Sequence, residues 1–125
     1  MILDTNALSA MADDQTGAVA QSAKAQRIAV PVIVLGEYRF GIAHSRRKAE
    51  YERWLTEILA GSSVLEITED TAWRYAEIRT ELRRAGTQIP ANDAWIAALS
   101  RQHTLSVLSR DEHFDLVAGV RRIGW

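Results

Sequence analysis

Short, largely apolar runs alternate along this chain with longer stretches of helical character, and that alternation narrows the fold more than any single motif does. The runs are Ile2-Leu3 and residues 27–30, 64–67, 105–108 and 120–123. Each is short and mostly apolar rather than alternating apolar with polar, which is the pattern of strands covered on both faces. Between them lie an Ala- and Gln-rich helical stretch at 17–26 and a helix that Pro31 opens at its tolerated first position, running through Glu37 to about residue 43. An amphipathic helix follows over 46–60, with Tyr51, Leu55, Ile58 and Leu59 on one side and Gly61 as its stop. A further helix over 69–85 carries Trp73, Ala76, Ile78 and Leu82 and stops at Gly86, and Pro90 precedes the last, over 91–102. The expected fold is α/β: a short, mostly parallel five-stranded sheet in a three-layer arrangement with helices on both faces. Residues 1–125 read as one domain, without internal repeat or linker.

Composition supports a packed core and removes several chemistries. Hydrophobic residues make up 47% and charged residues 25%, a globular balance that argues against disorder. The absence of cysteine excludes disulfides, thiolate metal sites and a cysteine nucleophile together. A formal net charge of −1 argues against a generic nucleic-acid coat, yet it is compatible with a nuclease whose acidic pocket offsets basic residues elsewhere. All basic residues except Lys24 and Lys48 are arginines, whose fixed fork of donors suits phosphate recognition. No run approaches the roughly 18 apolar residues of a membrane span, and no signal-like block opens the chain. A cytoplasmic protein is the expectation.

Four carboxylates occupy segments where aliphatic residues are the rule: Asp4 after Ile2-Leu3, Glu37 within Val34-Leu35-Gly36-Glu37-Tyr38, Asp93 within Asn92-Asp93-Ala94-Trp95-Ile96, and Asp111 after Val107-Leu108-Ser109-Arg110. Removing a carboxylate from water is costly unless a cation or donor compensates it. Each has a local explanation. Asp4 and Asp93 can cap helices, Asp111 can serve a turn, and Glu37 can snorkel or pair with Arg39. In an open parallel sheet, however, ligands bind beyond the carboxyl ends of the strands, which is where Asp4 and Asp111 emerge. Carboxylates from distant segments meeting there form the oxygen-rich cage that a hard divalent cation, Mg²⁺ or Mn²⁺, prefers.

The quoted segments extend to Met1-Ile2-Leu3-Asp4-Thr5-Asn6, Pro31-Val32-Ile33-Val34-Leu35-Gly36-Glu37-Tyr38-Arg39-Phe40-Gly41, Pro90-Ala91-Asn92-Asp93-Ala94-Trp95-Ile96-Ala97 and Leu105-Ser106-Val107-Leu108-Ser109-Arg110-Asp111-Glu112-His113-Phe114. In this order they resemble a PIN-domain ribonuclease, specifically the VapC-type toxins of bacterial toxin–antitoxin pairs, over almost the whole chain. The resemblance implies that Asp4, Glu37, Asp93 and Asp111 bind the metal, with Asn6 and Ser109 as polar neighbours. It also implies a further acidic residue after the fourth carboxylate, for which Asp115 is a better candidate than Glu112. An RNA substrate, a VapB-type antitoxin and a homodimer are implied as well.

On this reading a metal-activated water hydrolyses the phosphodiester, and no side-chain nucleophile is needed. Phosphate contacts would come from Arg39, Arg46, Arg47 or Arg110, although a run such as that at 46–48 is more often just a solvated helix start. His113 and Phe114 read as packing or loop residues, His44 and His103 as surface histidines. Trp54, Trp73, Trp95 and Trp125 read as core or interface residues, or as stacking platforms for single-stranded bases. The rival readings are a housekeeping PIN nuclease, a PIN-like module that binds without cleaving, and a phosphoryl-transfer domain using Asp4 as a covalent acceptor.

Overall fold

In the computed structural model, which describes residues 1–125, the apolar runs become β1 (Ile2–Leu3), β2 (Ala29–Pro31), β3 (Ser63–Leu65), β4 (Val107–Leu108) and β5 (Arg122–Ile123). All neighbours pair in parallel, in the spatial order β3-β2-β1-β4-β5. The helices are α1 (Thr5–Ala12), α2 (Thr16–Ser22), α3 (Val32–Ile42), α4 (Lys48–Ala60), α5 (Glu69–Arg84) and α6 (Ala91–His103), with a 3₁₀ turn at Glu112–Leu116. From β1 the chain steps outward through β2 to β3, and then returns past β1 to β4. Right-handed crossovers in these opposite directions put α1–α4 on one face of the sheet and α5–α6 on the other. The direction of winding reverses between β1 and β4, and the crevice at their carboxyl ends is the place where such sheets bind ligands. Ile2, Leu3, Val107 and Leu108 of these two strands are completely buried, as expected for the centre of a doubly covered sheet. No helix is long and apolar enough to cross a membrane.

Several element boundaries differ from the sequence expectation for local reasons. Pro31 ends β2 in an extended conformation (φ −63°, ψ 144°) and caps α3 rather than opening it. There its missing N–H is not required by the helix. The helix expected over 17–26 closes at Ser22, whose hydroxyl bonds back to the Val19 carbonyl at 2.8 Å, and the chain continues in turns. Gly61 ends α4 with φ −101°, so its conformation is one any residue adopts. Gly86, by contrast, follows α5 at φ +70° and uses the freedom of glycine.

The buried stripe of α5 is Thr71, Ile78 and Leu82, with Tyr75 half-buried, and Trp73 lies off it at 68% exposure. This stripe joins α5 to α6 by two devices. Tyr75 stacks on Trp95 with ring centroids 3.9 Å apart. Thr71, itself fully buried, completes a capping box with Thr68 and donates its hydroxyl to the Gln102 side-chain oxygen at 2.5 Å. Since α6 carries Asp93, this anchorage holds the site in place. Thr71→Val preserves shape but removes the acceptor of the Thr68 N–H and the donor to Gln102. A loss of roughly 1–3 kcal/mol in urea unfolding is expected, and unchanged stability would mean that apolar packing alone joins the two helices.

Candidate active site

Asp4 is the first residue beyond β1 and the N-cap of α1. One carboxylate oxygen accepts from the Ala7 N–H at 2.7 Å, and the other from the Ser109 hydroxyl. Ser109, fully buried just past β4, accepts in turn from the Asp111 N–H at 2.9 Å. One hydroxyl thus ties together the carboxyl ends of both central strands. Asp111 begins the 3₁₀ turn, accepting from the His113 N–H at 2.9 Å. Asp93 enters from the first turn of α6 and is also buried. Glu37 comes from the middle of α3, with its two oxygens held by the Thr5 hydroxyl and the Asn92 amide, each at 2.9 Å. Arg39 is instead paired with Glu52 at 3.0 Å, so Glu37 is not an arginine-paired surface glutamate.

The four carboxylates line one hollow of about 280 Å³ together with Asn6 and Asn92, and no Lys or Arg lines it. No Lys or Arg therefore offsets this charge. Burial of Asp4, only 4% exposed, pushes its carboxyl up to about 6; Asp93 and Asp111 push in the same direction, while the bonds from Ser109 and Ala7 partly offset the rise. Burial likewise raises Asp93, with Asp111 and Glu37 adding to it and His113 opposing it.

The remaining sequence candidates fall on both sides of this pocket. Asn6 stands on its wall and Ser109 is at its base. Asp115 does not line the pocket. It forms a two-pronged pair with Arg122 at 2.9 and 2.8 Å, and Arg122 also reaches the Ser109 carbonyl at 3.3 Å, so the pair braces β5 against the strand end. Glu112 is exposed. Among the arginines, Arg46 is solvated, Arg47 grips Glu50 and Tyr51, and none of Arg39, Arg46, Arg47 and Arg110 lines the pocket. Arg110 stacks on Trp125 at 4.7 Å from the ring centre and borders the adjoining hollow with Asp111 and His113.

Three contributors were not legible as site residues. Thr5 and Asn92 orient Glu37, as described. The third is His113, expected to be a packing or loop residue, which brings Nδ1 to 2.8 Å from an Asp111 oxygen and 3.1 Å from an Asp93 oxygen. Its bond to Asp93 raises its pKa above the ordinary value, and the charge of Asp111 acts in the same sense. The one available signal was its place two residues after Asp111, where a turn capped by that aspartate folds the ring back. Phe114 beside it is fully buried, in keeping with a packing role.

Comparison with known proteins identifies the family to which this fold belongs. Residues 1–120 match the family model described as the PIN domain. The chain is 30% identical over 99 residues to Ribonuclease VapC5 of Mycobacterium tuberculosis, covering 78% of this chain and 73% of that one. It is also 30% identical over 121 residues to Toxin FitB of Neisseria gonorrhoeae, covering 89% and 87%. The chain is a PIN domain of the VapC type. Its backbone superposes on the FitAcB structure from Neisseria gonorrhoeae with a TM-score of 0.86 at 30% identity, over 98% of this chain and 95% of that one. VapBC2 from Rickettsia felis, bound to a DNA fragment from its promoter, gives 0.87 over 99% and 97% at 23% identity, a likeness of fold alone. In this PIN domain the parallel sheet brings Asp4 and Asp111 just beyond the carboxyl ends of the two strands that flank the winding reversal.

The Asp4 shift fixes a pH dependence in metal-free buffer. A carboxyl raised from 3.8 to about 6 on folding binds its proton more tightly in the folded state, so stability falls as pH rises through that interval. Asn at this position still caps α1 but carries no charge. Asp4→Asn in EDTA should therefore be more stable than the wild type above about pH 6, by on the order of 2 kcal/mol, with the advantage gone below about pH 4. Equal thermal stability at all pH values would show that the Asp4 charge is compensated within the protein.

Proposed function

We propose that this PIN domain is a metal-dependent endoribonuclease and the toxin of a toxin–antitoxin pair. The observation that carries the reading is the hollow bounded by Asp4, Glu37, Asp93 and Asp111 with no Lys or Arg on its walls, His113 being the one basic group that faces any of the four. Asp4, Asp93 and Asp111 would hold the cation, and Glu37 would complete the set directly or through a water. Carboxylate oxygens suit Mg²⁺ or Mn²⁺. When bound, such an ion supplies acidification of a water and neutralisation of the charge that builds on the scissile phosphate.

The chain's own part is to hold these groups still. Ser109 and Ala7 fix both oxygens of Asp4, which supports a ligand role over that of a covalent acceptor. Thr5 and Asn92 keep Glu37 turned to the pocket. Asn6, on the wall, can donate to a water or a phosphate oxygen. Arg110, at the border, is the arginine best placed for backbone phosphates of RNA.

The relatives named for ribonuclease and toxin activity support the same reading, as do structures described as toxin–antitoxin complexes. A partner arginine would pair with the carboxylates. A groove of about 260 Å³ leads from Glu37 and Thr5 past Ser9, Asp13, Tyr38, Ile42 and Tyr51, offering a partner segment a recess of mixed polar and apolar lining. Phe40 on α3 at 84% exposure and Trp73 on α5 at 68% are apolar side chains unused by the fold, on opposite faces of the sheet; a homodimer would cover one of them. Light scattering should give twice the chain mass, and a monomer at micromolar concentration would count against it.

Purified protein should cleave RNA with Mg²⁺ or Mn²⁺ and not in EDTA, and Asp93→Asn should lower turnover on the order of a hundredfold while remaining folded. Undiminished cleavage in EDTA would remove the metal mechanism. Expression alone should arrest growth, and co-expression of the neighbouring gene should restore it. Harmless expression of a protein that cleaves RNA in vitro would favour a housekeeping nuclease.

A further inference from the structure

The proposed metal chemistry uses four carboxylates and leaves one chemically distinct donor at the same place unaccounted for. His113 Nδ1 lies 2.8 Å from Asp111 Oδ1 and 3.1 Å from Asp93 Oδ2, so three potential ligand atoms from α6, the loop after β4 and the 3₁₀ turn face one another. Adjacent ligands of a six-coordinate ion with bonds near 2.1 Å stand about 3 Å apart. The separations of Nδ1 from both oxygens therefore match those of neighbours in one coordination shell. The ring is not needed to hold its own backbone. The 3₁₀ turn is capped by the bond from the His113 N–H to Asp111 at 2.9 Å and pinned by fully buried Phe114. The side chain itself remains 41% exposed, at the border of the carboxylate pocket, and has not been drawn into the core.

We propose that His113 is a direct ligand of the cation, through Nδ1, and that this nitrogen biases the site towards Mn²⁺ over Mg²⁺. The proposal rests on the reading that a divalent ion binds among the carboxylates. An all-oxygen set favours Mg²⁺ as readily as Mn²⁺, whereas imidazole is a softer donor that transition metals accept better than Mg²⁺ does. The neutral ring gives its Nδ1 lone pair to the ion and keeps its proton on Nε2. Asp93 and Asp111 each contribute an oxygen beside it. The alternative is that the ring serves only as an internal cation for the two aspartates and is displaced when a metal arrives.

Mn²⁺ bound to the full chain gives a direct readout, because electron spin echo spectroscopy detects a coordinated imidazole nitrogen by its coupling to the metal electrons. The wild type should show that coupling, and His113→Gln should lack it while still binding Mn²⁺. By calorimetry, His113→Gln should weaken Mn²⁺ binding by about tenfold and Mg²⁺ binding by less than about twofold. Circular dichroism verifies that the variant is folded, and a wild-type spectrum of protein labelled with ¹⁵N-histidine makes the nitrogen assignment independent of any variant. Wild-type protein that binds Mn²⁺ without nitrogen coupling, or equal losses for both ions, would overturn the assignment while leaving the carboxylate site intact. Wild-type protein that binds neither ion would overturn the metal reading, and this assignment with it.

Discussion

Asp4 is a buried carboxylate at the end of the central strand, tied by one serine hydroxyl to the neighbouring strand end and faced by other acids rather than by bases. Much of the local structure follows from the cost of keeping it there. The N-terminus of α1 supplies one donor, Ser109 supplies the second, and the same serine fixes the backbone of Asp111. Two hydrogen bonds lower the carboxyl's pKa but do not cancel the effect of burial, so it still titrates near 6. Such a residue is poorly suited to stabilising a fold and well suited to receiving a cation.

Around that centre the architecture divides positioning from chemistry. The reversal of winding between β1 and β4 brings two acids to the edge with no long loop. The helices contribute the others: α3 through Glu37, and α6 through Asp93. Thr5 and Asn92 each come from a helix that also carries, or is capped by, an acid, so Glu37 is oriented by its neighbours in the site. Further out, the Thr71–Gln102 bond and the Tyr75–Trp95 stack fix α6 against α5. Asp115 and Arg122 brace the last strand. These contacts raise the rigidity on which close spacing of like charges depends.

The sheet was legible in the sequence because a doubly covered strand is mostly apolar, and the runs at 2–3, 27–30, 64–67 and 105–108 are; the edge strand β5, with Arg121 and Arg122 in its run, carries the weakest signal. The strand bounds differ from those runs by one or two residues at most ends: β2 continues to Pro31, which then caps α3, and β4 and β5 keep only the last two residues of theirs. The four acids were legible because aliphatic segments give a carboxylate no reason to be present without a compensating partner. What the sequence concealed is side-chain direction. Nothing in the run from Asp111 to Phe114 says that a 3₁₀ turn will fold His113 back towards α6, and the pairing of Asp115 with Arg122 depends on β5 lying beside β4. Trp73 was ambiguous for the same reason: the stripe of α5 is set by Thr71, whose burial is made tolerable only by hydrogen bonds to Thr68 and Gln102.

The central claim is that this pocket is completed by a divalent cation. A ligand that binds only the folded state raises the unfolding midpoint as its concentration grows. Thermal unfolding of wild-type protein, titrated with Mn²⁺ or Mg²⁺ from EDTA-treated buffer at constant ionic strength, measures this directly. A saturable rise in the midpoint is expected for the wild type, and none for Asp4→Asn combined with Asp93→Asn. A wild-type midpoint indifferent to both ions, or a rise retained in full by the double variant, would contradict the account.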